Sequence, residues 1–162
     1  MGSLAAADVI EVRIIEREHQ ELRFGLSNLE GTIEEASRLS QSELRDRIAR
    51  TTAWAHRQFL PHAAWEEAWM YAQLDEATGS PWTTRALRFQ HEQIRELATA
   101  LETVSIAAYE HWTAEIVCRV VAAMARLDAL ISAHLAQEEL FVLPFLEEGA
   151  GHAARAHAIA PR

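Results

Sequence analysis

The segment His134-Leu-Ala-Gln-Glu-Glu139 sets an imidazole and a carboxylate four residues apart, at His134 and Glu138. On a helix these side chains lie one turn apart on one face. An imidazole beside a carboxylate, turned into a helical core, suits a metal ion and is costly in a purely apolar interior. The pattern is not rare in a chain with 24 acidic residues and eight histidines. It occurs at His62/Glu66, His111/Glu115 and His134/Glu138.

Spacing separates these pairs. His62 follows His19 by 43 residues, and His134 follows His91 by the same 43. An offset of 72 carries Ile15 to Leu87, His19 to His91, Leu22 to Ile94, His62 to His134, Glu66 to Glu138 and Glu67 to Glu139. Two halves with one polar set in register point to an internal repeat. His111/Glu115 has no histidine 43 residues before it, where Ala68 stands, and is read as the chance pair.

The elements that must carry these residues are helical. Gly and Pro are scarce, at six and four, while Ala, Leu, Glu and Arg abound. From about residue 5 to 36, Val12, Ile15, Leu22, Leu26, Leu29 and Ile33 keep a three/four spacing, and His19 falls in their stripe. Ser40-Gln-Ser-Glu43 reads as a capping box opening a second helix to about Ala77. Its inner stripe is Ile48, Ala55, Phe59, His62, Glu66 and Trp69, with Trp69 expected to wall the site and Pro61 to kink the helix. Ser80-Pro81 reads as the start of a third helix running to about Ile106, with Leu87, His91, Ile94, Ala98 and Leu101 inward. A turn at 107–112 leads to a fourth helix from about Thr113 to Leu146, burying Val120, Met124, Leu127, Ile131, His134, Glu138, Phe141 and Phe145.

These four helices give an all-α, up-down-up-down four-helix bundle with an internal two-fold pseudo-repeat, over residues 1–148, and a C-terminal tail over 149–162. His152 and His157 fall in that tail and His56 on the surface. The arms bring His19, His62, Glu66, His91, His134 and Glu138 to one depth.

Composition narrows the function. A formal net charge of −9 argues against nucleic-acid binding, which needs a basic face. No stretch reaches the roughly 20 apolar residues of a membrane span. The N-terminus lacks the basic region of a signal peptide, so a cytoplasmic protein is expected. Cys118 is the single cysteine, which leaves no internal disulfide and no thiolate metal motif, and it reads as a buried small hydrophobe.

Six polar groups in a dry core need either full mutual hydrogen bonding or metal. Nitrogen and oxygen donors without thiolate suit iron or manganese, and zinc less specifically. Glu66 and Glu138, one from each half, can bridge two metals, each of which then also holds two histidines.

The pieces EREHQELR, LPHAAWEEAW, FQHEQIREL and HLAQEELFVLPFL resemble the hemerythrin-like (HHE cation-binding) family over about residues 10–147. The resemblance implies two iron ions linked by oxide or hydroxide. Glu66 and Glu138 stand where that family has its bridging carboxylates. His19 and His62 would be terminal ligands of one iron, His91 and His134 of the other. Oxygen-carrying members have a fifth histidine one turn after the third-helix histidine; here that residue is Arg95, with Arg23 its mate at the 72-residue offset. On that pattern both irons are equally open. Glu18, Glu67, Glu92 and Glu139 stand ready either as a replacement ligand or as acceptors for the ligand N–H groups.

The implied function is a non-haem di-iron protein that binds or reduces a small oxidant: dioxygen, peroxide or nitric oxide. Catalase- or peroxidase-like turnover stands level with sensing. The alternative is an iron or oxygen sensor, or an iron store, acting through a protein partner without turnover.

Overall fold

The computed structural model describes residues 7–148, with side chains from residue 13 onward. The tail at 149–162, with His152 and His157, and the side chain of Val12 lie outside the described residues. The element order is α1 (Ala7–Glu35), α2 (Gln41–Trp54), a π turn (Ala55–Phe59), α3 (Leu60–Ala68), α4 (Met70–Thr78), α5 (Arg85–Glu110), α6 (Ala114–Gln137) and a second π turn (Glu138–Val142), after which the chain stays helical to residue 148. The segments from α2 to α4 make one long arm, so the architecture is a four-helix bundle. α1 packs on α2 and α6, and α5 packs on the same two. Among the described residues no helix is long and apolar enough to cross a membrane.

The caps show why the arms begin and end where they do. Ser40 and Glu43 close the expected capping box: Ser40 N–H donates to Glu43 Oε2 at 2.9 Å and Glu43 N–H to Ser40 Oγ at 3.3 Å. Gly79 ends α4 in the left-handed region (φ 66°), and Ser80 N–H returns to the Asp75 carbonyl. Ser80 is thereby committed to a turn, and α5 starts at Arg85 rather than at Ser80-Pro81. The buried Thr84 hydroxyl binds Asp75, and Arg88 in turn donates to Thr84, which fixes the entry to α5. At its far end α5 runs four residues beyond Ile106. Arg45 of α2 donates to the Ala108 and Tyr109 carbonyls, supplying partners that the last turn lacks.

Two apolar clusters fill the bundle. The larger joins Leu22, Leu29, Ile48, Phe59, Ile94, Leu101, Met124 and Ile131. The smaller joins Ile15, Met70, Tyr71, Leu74, Leu87, Val142 and Leu143. The six expected site residues lie where the two clusters meet: His19 between Ile15 and Leu22, His91 between Leu87 and Ile94, Glu66 between Ala63 and Met70, and Glu138 between Leu135 and Val142, with His62 and His134 one turn before the glutamates.

The inner stripe departs from its expected course after each glutamate. Beyond Glu66 the buried residues are Met70, Tyr71 and Leu74, while Trp69 is 58% exposed. Beyond Glu138 they are Val142 and Leu143, while Phe141 is 71% and Phe145 45% exposed. In each case the regular helix is interrupted just there. At Trp69 the backbone opens (φ −119°, ψ −65°) and separates α3 from α4. At Glu138–Val142 the turn is π-helical, with Leu143 N–H reaching the Glu138 carbonyl. Each π turn ends two residues before a proline, Pro61 and Pro144. A proline ring has no N–H and crowds the carbonyl four residues back, and the wider turn makes room for it. Cys118 lies on the solvent side of α6, not in the core as its apolar neighbours suggested.

Candidate metal centre

His19 comes from α1, His62 and Glu66 from α3, His91 from α5, His134 from α6, and Glu138 from the π turn that follows it. All six are buried; His62 is the most exposed at 7%. His62/Glu66 and His134/Glu138 are the two expected pairs one turn apart, at 2.8 and 3.4 Å. His111 and Glu115 are exposed and take no part.

Each imidazole turns Nδ1 outward to an acceptor. The pairs are His19 with Glu139 (3.3 Å), His62 with Glu18 (2.8 Å), His91 with Glu67 (2.9 Å) and His134 with Gln90 (3.1 Å). Glu139 is held by Arg23, at 3.1 and 2.6 Å, and Glu67 by Arg95, at 3.1 Å through both guanidinium nitrogens. Gln90 is oriented by donating to Gln137. Arg23 and Arg95 therefore bind outer acids rather than face the centre. Glu18, Glu67 and Glu139 act as acceptors, and Glu92 is exposed.

With Nδ1–H donated outward, each Nε2 carries a lone pair into the core, the tautomer a metal ligand requires. His91 Nε2 and His134 Nε2 lie 2.9 Å apart. His62 Nε2, Glu66 Oε2 and Glu138 Oε2 are buried without a well-formed hydrogen bond; their nearest polar neighbours are other members of the layer, with His62 Nε2 2.8 Å from Glu66 Oε1, Glu66 Oε2 3.3 Å from His91 Nε2 and Glu138 Oε2 3.4 Å from His19 Nε2 and His134 Nε2. Leaving one such atom unsatisfied costs about 1–3 kcal/mol. Three of them weigh heavily against a total stability of about 5–15 kcal/mol. A cation among these atoms satisfies all of them, so the donor set fits a metal.

The donors form two overlapping groups. His19, His62, Glu66 and Glu138 make one, and Glu66, His91, His134 and Glu138 the other, with the donor atoms of each group within 4.8 Å of one another. Sharing both glutamates is the arrangement of a dinuclear site. Over residues 11–146 the sequence matches the family model described as Hemerythrin HHE cation binding domain. The chain belongs to this family. The comparisons with curated proteins and with solved structures each find no significant match.

Protonation takes over where a cation would act in this hemerythrin domain. Burial alone would lower the His19 pKa, but hydrogen bonds and charge from Glu138 and Glu66 outweigh it and lift it to about 9. His62 is raised in the same way, chiefly by Glu66 acting against burial. Burial pushes Glu66 up, yet the four surrounding imidazoles hold it well below the ordinary carboxylate value.

Two residues at the centre escaped the sequence reading. Tyr71 is fully buried and stacks on His91 (centroids 5.4 Å apart, planes at 20°). Its phenol donates to Glu138 Oε1 and lies 3.4 Å from His91 Nε2. Its inward direction follows from the break at Trp69, which a regular helical period does not reveal. Gln90 was within reach, because it stands 72 residues after Glu18. Phe59, on the expected stripe, turns its ring edgewise to His91 and His134 at 6.3 and 6.0 Å and closes the opposite side.

Proposed function

We propose that the chain is a non-haem di-iron protein that binds or reduces a small oxidant such as dioxygen, peroxide or nitric oxide. In this reading His19 and His62 are terminal ligands of one iron, His91 and His134 of the other, and Glu66 and Glu138 are shared. The observation that carries it is the facing pair His91 Nε2 and His134 Nε2, both with Nδ1 committed outward. Two nitrogen lone pairs at that distance repel unless a cation or a proton lies between them. An all-nitrogen-and-oxygen donor set with two shared carboxylates favours iron, then manganese, over zinc.

When bound, such a pair supplies redox equivalents and open positions for a small ligand. The protein's own part is geometric. Glu18, Glu67, Gln90 and Glu139 hold the imidazoles in one tautomer. Phe59 and the two apolar clusters keep bulk water out. Residues 1–148 form the functional domain, and peroxide turnover is the enzymatic version of this reading. The test is anaerobic reconstitution with ferrous iron, followed by metal analysis and an optical spectrum before and after air or peroxide. Two irons per chain with new near-ultraviolet bands are expected. One tightly held zinc, or iron whose spectrum does not respond to either oxidant, would overturn it.

The sensing alternative draws on one feature. Leu140 and Phe141, 67% and 71% exposed, sit in the same π turn as Glu138. A change at the metal would reach this apolar surface directly. Hydrogen exchange of residues 138–142, with and without metal, distinguishes the two: a sensor requires a change there and a rigid carrier does not.

A further inference from the structure

Tyr71 breaks the equivalence of the two halves. The residue 72 positions later is Leu143, also buried. A phenol thus reaches the centre on one side where the matching side has only an aliphatic chain. The phenol does two things there. Its O–H donates to Glu138 Oε1, leaving Glu138 Oε2 to face His19 Nε2 and His134 Nε2, each at 3.4 Å. Its ring stacks on His91 and its oxygen stands 3.4 Å from His91 Nε2. Arg88, over the outer face of the Tyr71 ring at 5.3 Å, holds the ring from behind and is itself tied to the Glu67 carbonyl and to Asp75.

We infer that Tyr71 is a positioning residue of the metal centre: its phenol fixes Glu138 on the His91/His134 side and makes the two metal positions unequal. This rests on the dinuclear reading above and deepens it. With Arg95 in place of the fifth histidine of oxygen-carrying members, the family resemblance implied two equally open positions, and Tyr71 removes that symmetry. A carboxylate shared by two cations must hold its plane in one orientation. The phenol O–H defines that orientation at Oε1, and no corresponding donor from Leu143 can act on Glu66.

The experiment is a cobalt(II) titration of the metal-free protein against a competing chelator, read by metal stoichiometry and by the visible absorption of bound cobalt. Wild type and Tyr71→Phe, which keeps the ring and loses only the hydroxyl, are compared. Wild type is expected to take up two cobalt ions. In Tyr71→Phe one of the two dissociation constants weakens about 10–100-fold, the usual range for an outer-shell partner. The cobalt spectrum of that step changes while the other step keeps both its constant and its spectrum. Tyr71→His, which returns an N–H donor, is expected to recover part of the loss and serves as the second variant if Tyr71→Phe folds poorly. Unchanged constants and spectra would overturn the inference. So would a parallel weakening of both steps with unaltered spectra, which would make Tyr71 a packing residue. Fewer than two cobalt ions in wild type would instead overturn the dinuclear reading, and this inference with it; the stoichiometry alone separates the two failures.

Discussion

His91 Nε2 faces His134 Nε2 across 2.9 Å, and neither nitrogen has an N–H of its own to offer once Nδ1 is bound to Glu67 or Gln90. The contact is repulsive in the neutral protein. A shared proton or a metal ion makes it attractive, and the two compete for the same space. Metal binding therefore displaces protons. Loading the metal-free protein with ferrous iron near pH 7 in weak buffer should release protons, measurable with a pH indicator or by calorimetry in buffers of different ionisation enthalpy. No proton release would mean that the imidazoles are already neutral and paired in another way.

His62 Nε2, Glu66 Oε2 and Glu138 Oε2, buried without a well-formed hydrogen bond, burden the metal-free fold. A ligand that binds only the native state stabilises it by about 4 kcal/mol at a thousand times its dissociation constant. For a chain of this length each kcal/mol is worth roughly 2–4 °C in Tm. Saturating iron should therefore raise the melting temperature by roughly 10 °C or more, and a chelator should reverse it. Equal melting curves in the two conditions would show that the polar layer is self-satisfied.

The outer acids should differ in weight from the arginines that hold them. Glu67 accepts from His91 Nδ1–H at 2.9 Å and so orients a proposed ligand; Glu67→Ala should weaken metal binding about 10–100-fold. Arg95 is 41% exposed and acts on Glu67 through an ion pair of the kind worth about 0–1 kcal/mol. Arg95→Ala should cost no more than about fivefold. Chelator-competition titrations of the two variants test this, and equal losses would mean that Arg95 acts on the centre directly.

Stability of the metal-free protein should fall on both sides of a central pH range. His19 is raised from 6.5 to about 9, so its contribution is fully present below 6.5 and is lost as pH rises through about 9. His62 is raised too and works in the same direction. Glu66 is lowered below its ordinary 4.5, so its contribution is present above 4.5 and is lost as pH falls through its depressed folded value. Melting temperatures of the chelated protein should peak between about 4.5 and 6.5 and decline toward pH 9. Bound iron should flatten the alkaline decline, because the metal replaces those protons.

The six residues that the structure gathers into one buried layer were legible because their spacing repeats. The 43-residue spacing pairs each lone histidine with a His-x-x-x-Glu, and the 72-residue offset sets the two halves in register. The arms and the capping box followed from apolar period and local chemistry. Legibility failed just beyond each glutamate. A 3.6-residue period assumes an unbroken helix, and neither the opening at Trp69 nor the π turn at Glu138–Val142 leaves a trace in that period. Pro144 stands two residues beyond the second distortion, but a proline by itself does not reveal an extra residue in the turn before it. Tyr71 was missed for this reason, and Trp69, Phe141 and Phe145 were assigned to the wrong face.

That slip is open to direct test. Leu143 is buried in the smaller apolar cluster with Ile15, Met70 and Leu87, whereas Phe141 is largely solvated. Truncating a buried leucine removes its transfer free energy and leaves a cavity, at a cost of about 2–5 kcal/mol. Truncating a solvated side chain away from special contacts changes stability by about 0.5 kcal/mol or less. Leu143→Ala should therefore lower the denaturation midpoint clearly, and Phe141→Ala should leave it nearly unchanged. An uninterrupted α-helix through Glu138 predicts the reverse order, since Phe141 would then be a core residue and Leu143 a surface one. Urea unfolding of the two variants, followed by far-ultraviolet circular dichroism, decides between them. The comparison bears on the centre as well, because the extra residue that turns Leu143 inward lies in the same turn as Glu138.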